Sequence, residues 1–224
     1  RMIVCLDSGN TRIKWGVHDG SAWLAQGAVA HADVASLSEL LARWPQPERV
    51  MLANVAGPDA ARRIGESLAA WRPVITEVRS TQSAAGVVNR YRFPERLGVD
   101  RWCALLGARS QHAGAALVVM AGTATTLDTL NAEGHFLGGN ILPGIGLMQR
   151  SLAQGTAALT VAAGHYESLP DCTEDAIVSG VIEAQAGAIE RVFARLAGSE
   201  PLCLLSGGHA EEIAAVLAIP FRLV

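Results

Sequence analysis

One short pattern occurs twice in this chain, about half its length apart. A buried-strand run, Met2 to Asp7, meets the turn Ser8-Gly9-Asn10, and a second strand, Thr11 to Val17, leaves it. Ala115 to Ala121 meets Gly122-Thr123 in the same way, and Ala124 to Leu130 follows. Both pairs continue through a polar turn into a third strand, Ala22 to Val29 in the first half and His135 to Leu142 in the second. Helical and strand patterns then alternate. Helices are expected at Ala35–Trp44, Pro58–Trp71, Val99–His112, 144–154, 173–197 and 209–217, with strands at Arg49–Val55, Val74–Val78, 202–205 and from Ile219. Two such units in 224 residues constrain the chain to a duplicated α/β fold with a cleft between its halves. The boundary is expected at His112-Ala113-Gly114, giving domains 1–112 and 113–224.

Composition removes several function classes. Half the residues are apolar and 17% are charged, which supplies a core and argues against disorder. With 18 Lys+Arg against 21 Asp+Glu the net charge is -3, so there is no basic footprint for nucleic acid. The apolar run Ala113 to Ala121 is too short to cross a membrane, and no signal peptide is visible. Cys5, Cys103, Cys172 and Cys203 have no ligand spacing, so they are expected as reduced thiols in a cytoplasmic protein, and no histidine pair reads as a metal site.

The first turn, Asp7-Ser8-Gly9-Asn10-Thr11, is small enough for its N–H groups to approach an anion. Asn10 and Thr11 add donors, and Lys14 adds charge. Asp7 at the strand end suits a magnesium ion; the alternative is a hairpin turn whose side chains satisfy their own backbone. Gly122-Thr123-Ala124-Thr125-Thr126 is its counterpart, and two such turns could clamp a polyphosphate. A β-branched strand start would look the same.

The segment from Asn89 to Trp102 carries Arg90, Arg92, Arg96 and Arg101, the aromatics Tyr91 and Phe93, and Pro94. Asp100 and Arg101 stand in a first helical turn after Gly98. The carboxylate could orient a hydroxyl nucleophile and the guanidinium could bind a carboxylate, although an acidic residue there also suits the helix dipole. Gly138-Gly139 through Pro143-Gly144 could be a hinge or ligand wall or a plain turn. Thr173 reads first as an N-cap, and Ser206-Gly207-Gly208 as a strand-to-helix junction open to a phosphate or flat ring.

In series, these segments resemble the type III pantothenate kinases of the acetate and sugar kinase/Hsp70/actin superfamily, a family related to the Bvg accessory factor proteins. The matching pieces run from Asp7-Ser8-Gly9-Asn10-Thr11 through Asn89, Tyr91, Pro94 and Leu97-Gly98-Val99-Asp100-Arg101-Trp102. They continue through Gly122-Thr123-Ala124-Thr125-Thr126, Gly138 to Gly144, and Thr173 with Ala176 and Gly180, to Ser206-Gly207-Gly208. The resemblance implies two ribonuclease-H-like domains with a nucleotide-binding cleft, and transfer of the γ-phosphoryl group of ATP to pantothenate, the first step towards coenzyme A. It places Asp7, Ser8, Gly9, Asn10, Thr11, Arg12, Ile13, Lys14 and Thr123 at the ATP phosphates, with Asp7 near Mg2+, and Gly207 and Gly208 beside the nucleoside. Tyr91, Gly98, Val99, Asp100 and Arg101 would line the pantothenate pocket, with Asp100 the proton acceptor and Arg101 the partner of the substrate carboxylate. Thr173 would reach pantothenate from the neighbouring subunit of a homodimer.

One position departs from the family pattern. Two residues before Gly122, where the family usually has an aspartate that ligates a monovalent cation, this chain has Met120. A thioether suits K+ or NH4+ poorly, so weakened cation dependence is expected. Two other readings of the chain are a sugar or carboxylate kinase of the same superfamily, and a binding or regulatory protein without catalysis.

Overall fold

The structure, a computed structural model, describes residues 2–155, 163–198 and 200–224. Its strands are β1 (Ile3–Ser8), β2 (Arg12–His18), β3 (Trp23–Ala30), β4 (Arg49–Asn54), β5 (Ile75–Glu77), β6 (Ser83–Ala84), β7 (Val87–Asn89), β8 (Ala116–Ala121), β9 (Ala124–Leu130), β10 (His135–Pro143), β11 (Leu202–Ser206) and β12 (Phe221–Leu223). The α-helices are α1 (Glu39–Arg43), α2 (Pro58–Ser67), α3 (Val99–Gln111), α4 (Ile145–Gly155), α5 (Thr173–Phe193) and α6 (Ala210–Ala214). They form two compact units, residues 1–81 with 93–103, and residues 82–92 with 104–224.

In the first unit the sheet order is β3-β2-β1-β4-β5; in the second, β10-β9-β8-β11-β12 lie in the same succession, with β7 and β6 added beyond β10. The pairing senses match as well. β1 is antiparallel to β2 and parallel to β4, and β8 is antiparallel to β9 and parallel to β11. The fold is therefore α/β with a duplicated five-strand plan, as the repeated turn implies.

Alternation along β1 sends Val4, Leu6 and Ser8 to one face and leaves Cys5 and Asp7 on the other. The first face meets Ile13, Val17, Val50 and Leu52 from neighbouring strands, and Ile64 and Leu68 from the α2 side, in one apolar cluster. β8 is instead apolar throughout, because both of its faces are covered: five of its six residues are buried. Its cluster includes Leu117 and Val119, Cys203 and Leu205 of β11, and Val181, Ile182, Ile189 and Val192 of α5.

The helices expected at 173–197 and 209–217 end earlier, α5 at Phe193 and α6 at Ala214, and three further elements differ from expectation. The helix expected at Ala35–Trp44 is a 3-10 segment over His31–Ser38 followed by the five-residue α1. Serines 36 and 38 offer the backbone local alternatives; the Ser36 hydroxyl, for example, donates to the Asp33 carbonyl at 2.7 Å. The helix expected at Pro58–Trp71 stops at Ser67, and Pro73 lies inside the tighter segment Ala69–Val74 that follows. The stretch read as irregular before Asn89 holds the β6–β7 hairpin, whose turn residues Ala85 and Gly86 have φ of 45° and 79°. Positive φ at both positions is the signature of a two-residue hairpin turn; Ala-Gly gives a weaker sequence signal for it than Asn-Gly.

Candidate active site

In the first unit, antiparallel pairing sets Asp7 of β1 directly opposite Lys14 of β2, and the two form an ion pair at 3.8 Å. The intervening turn closes through the Gly9 N–H, which donates to the Arg12 carbonyl at 3.1 Å, while His31 Nε2 holds the Gly9 carbonyl at 2.6 Å. Asn10, Thr11 and Arg12 are exposed, whereas Ser8 and Ile13 are buried. The side chains of Ser8 and Ile13 are therefore closed to a ligand, and the Ser8 carbonyl accepts the Val55 N–H at 3.0 Å.

The Asp100 carboxylate opens α3 in the same unit. Its Oδ1 accepts the Arg101 N–H at 2.8 Å, and the Trp102 N–H donates to the Gly98 carbonyl at 3.0 Å. Leu97, just before, is tied by the Ser80 hydroxyl at 2.7 Å. Arg101 and Val99 are buried. Burial raises the Asp7 carboxyl above the ordinary aspartate value; Lys14 opposes this, and the negative charge of Asp100 adds to it. The Cys103 thiol is pushed up to about 11, first by burial and then by Asp7, Asp100 and Cys5. A cavity of about 700 Å3 runs along this face, lined among others by Cys5, Asp7, Arg12, Lys14, Trp23 and Cys103. A half-buried carboxylate that a second carboxylate destabilises is a fitting ligand for a hard divalent cation.

The second unit gathers backbone at the end of β8. The turn there is one residue tighter, with the Gly122 N–H donating to the Ala124 carbonyl at 3.1 Å. The Gly144 N–H donates to the Thr123 carbonyl at 3.0 Å, and a side chain at Gly144 would collide with Gly122 and Thr123. Gly207, at φ 108°, lies so close to Ala121 that it has no room for a Cβ, and the His209 N–H donates to the Ala121 carbonyl at 3.2 Å. Thr123, Gly207 and Gly208 are exposed around that end.

Met120 stands opposite Thr126 of β9 and Ser206 of β11. The Thr126 hydroxyl is buried without a partner among the described residues. Tyr91 belongs to this unit, stacked on Phe136 with centroids 5.6 Å apart, and its N–H donates to Asn89 Oδ1 at 3.0 Å. The N-cap of α5 is Cys172 rather than Thr173, so Thr173 is the first helical residue. It lines an apolar groove of about 480 Å3 with Met148, Leu152, Ile177 and Gly180 among others.

Sequence reasoning missed His31, whose role depends on a contact 22 residues away, and Cys103, which a helix start brings beside the carboxylates. It also missed Asp171, Cys172 and Asp175, whose ligand-capable atoms lie within 4.8 Å of one another. Their spacing matches no metal motif, and Asp175 Oδ1 already accepts the His165 N–H at 2.7 Å. All four cysteines are free, and no helix among the described residues is long and apolar enough to cross a membrane.

Known proteins are similar to this chain in sequence and in fold. A type III pantothenate kinase of Dechloromonas aromatica (strain RCB) is 68% identical over 222 residues, covering 99% of this chain and 93% of the relative. One from Aromatoleum aromaticum (strain DSM 19018 / LMG 30748 / EbN1) is 51% identical over 226 residues, covering 100% and 93%. Among solved structures, a Campylobacter jejuni protein assigned to the Baf family of transcriptional activators matches the fold with a TM-score of 0.64 at 18% identity, over 99% of this chain and 90% of that one. The model of the family described as type III pantothenate kinase matches residues 3–195. The chain belongs to the type III pantothenate kinases, ATP-dependent enzymes of the first step of coenzyme A biosynthesis.

Proposed function

We propose that Asp100 accepts the proton of the primary hydroxyl of pantothenate as that oxygen attacks the γ-phosphorus of ATP. The bond from the γ-phosphorus to the bridging oxygen breaks, and 4'-phosphopantothenate and ADP leave. What supports this assignment is the place of Asp100, in the first turn of α3 and in the same unit as the Asp7–Lys14 ion pair. Phosphoryl transfer asks mainly for positioning and charge neutralisation, so two carboxylates have distinct work there. Asp7 holds Mg2+ with ATP, and Asp100 orients the nucleophile. When bound, Mg2+ neutralises phosphate charge.

Lys14 and the turn segment from Ser8 to Ile13 hold the ATP phosphates; in the second unit Thr123 does the same, and Gly207 and Gly208 take the nucleoside. Gly98, Val99, Arg101 and Tyr91 shape the pantothenate site, with Arg101 for the substrate carboxylate. The two repeats divide at 112/113. The protein works in the cytoplasm as a homodimer, and the apolar groove containing Thr173, Ile177 and Gly180 on α5 supports that assembly. Met120 weakens dependence on K+ or NH4+, and the orphaned Thr126 hydroxyl opposite it supplies an oxygen of the kind such an ion requires. A K+ titration with ATP and Mg2+ fixed tests this, and an absolute K+ requirement would overturn it.

The main test is a coupled ADP-release assay with ATP and Mg2+, with and without pantothenate, on wild type and Asp100→Asn. Pantothenate-dependent turnover should fall by about 10²–10⁴-fold in the variant. A folded wild type without such turnover would instead favour a binding protein.

A further inference from the structure

We infer that Gln185, a buried residue in the middle of α5, is a positioning residue for the Gly122-Thr123 phosphate turn. The inference rests on the proposed reading that this turn holds ATP. Gln185 is 0% exposed, in a helix whose neighbouring inward positions are Val181, Ile182, Ala186 and Ile189. A leucine would fill such a site without the cost of burying an amide. The amide is only partly satisfied, because its Oε1 has no partner among the described residues. What it does make is specific. Its Nε2 donates to the Pro143 carbonyl at 2.8 Å and lies 3.4 Å from Met148 Sδ.

Those contacts flank Gly144. The Gly144 N–H donates to the Thr123 carbonyl, and the Met148 N–H to the Gly144 carbonyl at 2.9 Å, so Gly144 joins the turn to the first turn of α4. A side chain at Gly144 would strike Gly122 and Thr123, so the two backbones touch with no slack between them. One hydrogen bond from the core helix thus fixes the strand end that fixes the turn. The chain of contacts runs from Gln185 through Pro143 and Gly144 to Thr123. Loss of the Nε2 donor frees Pro143 and lets the turn N–H groups drift from the positions that phosphate oxygens need.

The test is Gln185→Leu, with Gln185→Met as a second variant of similar volume and no N–H donor should the first fail to fold. Two readouts are taken. Hydrogen exchange of the Gly144 amide, which does not depend on ATP, should accelerate about tenfold while β8 core amides stay protected. The KM for ATP should rise about tenfold with the KM for pantothenate within about twofold. Unchanged Gly144 exchange, or exchange raised equally throughout the second unit, overturns the positioning role. Faster Gly144 exchange with an unaltered KM for ATP, in a protein whose Thr123 and Ala124 amides gain no exchange protection from ATP, shows that the turn does not serve ATP; the reading beneath the inference then fails. If ATP protects those amides and the Gln185 variants keep the KM, the inference alone fails.

Discussion

Asp100 Oδ1 lies 2.7 Å from the point where a side chain on Gly98 would place its Cβ. The glycine before α3 therefore leaves a space that the carboxylate fills, rather than supplying a left-handed turn. Gly98→Ala should keep the backbone and push the carboxylate aside. We expect kcat for pantothenate phosphorylation to drop about 100-fold, because a misplaced catalytic group costs that order of rate. Circular dichroism should show an intact fold, and an unchanged kcat would mean that the observed Asp100 rotamer is not the working one.

Asp7 should trade stability for function. Its carboxyl is raised above the ordinary aspartate value, chiefly by burial. A raised acid favours folding when protonated, so its contribution is fullest below the ordinary aspartate range and is lost as pH rises through the raised value. At pH 7 the folded protein carries the cost of that charge. Asp7→Asn should then raise the thermal midpoint by up to about 2 °C; the gain is small because the side chain is 37% exposed and Lys14 compensates in part. The gain should shrink as pH falls to about 4, while kinase turnover is lost at every pH. A lower midpoint at pH 7 would contradict the argument.

Cys103 should be a slow thiol. With its pKa at about 11 against an ordinary 9.0, its thiolate fraction at pH 8 is about 100-fold below that of an unperturbed cysteine. Iodoacetamide should label exposed Cys172 first and Cys103 last among the residues outside the deep core. Asp7→Asn or Asp100→Asn should speed Cys103 labelling, since each removes a negative charge that holds the thiol protonated. Peptide mapping by mass spectrometry gives the order.

The β6–β7 turn has room for improvement. Ala85 sits at φ 45°, a region costly for a residue with a Cβ, beside Gly86 at φ 79°. Ala85→Asn should stabilise the protein by about 0.5–1 kcal/mol, with no change in kcat, as read by urea unfolding. A loss of stability would show that Ala85 makes a contact worth more than its strain.

Sequence by itself determined the duplicated plan. The Gly9 and Gly122 turns, the alternation along β1 and the apolar continuity of β8 are local signals, and local sterics and periodicity translate them directly into strands. Register follows from the same alternation, so Asp7 opposite Lys14 was implicit once β1 and β2 formed a hairpin. The 3-10 segments and the β6–β7 hairpin were not legible, because short elements with weak turn residues gain their stability from neighbours; β7 exists as a strand beside β10. Tertiary structure alone decided which polar groups became partners. Burial near Asp100 raises Asp7, the His31 imidazole reaches back to Gly9, and Gln185 grips Pro143 from 42 residues away. Desolvation and hydrogen bonding depend on distances that exist only after the chain has packed, and no spacing rule along the sequence encodes them.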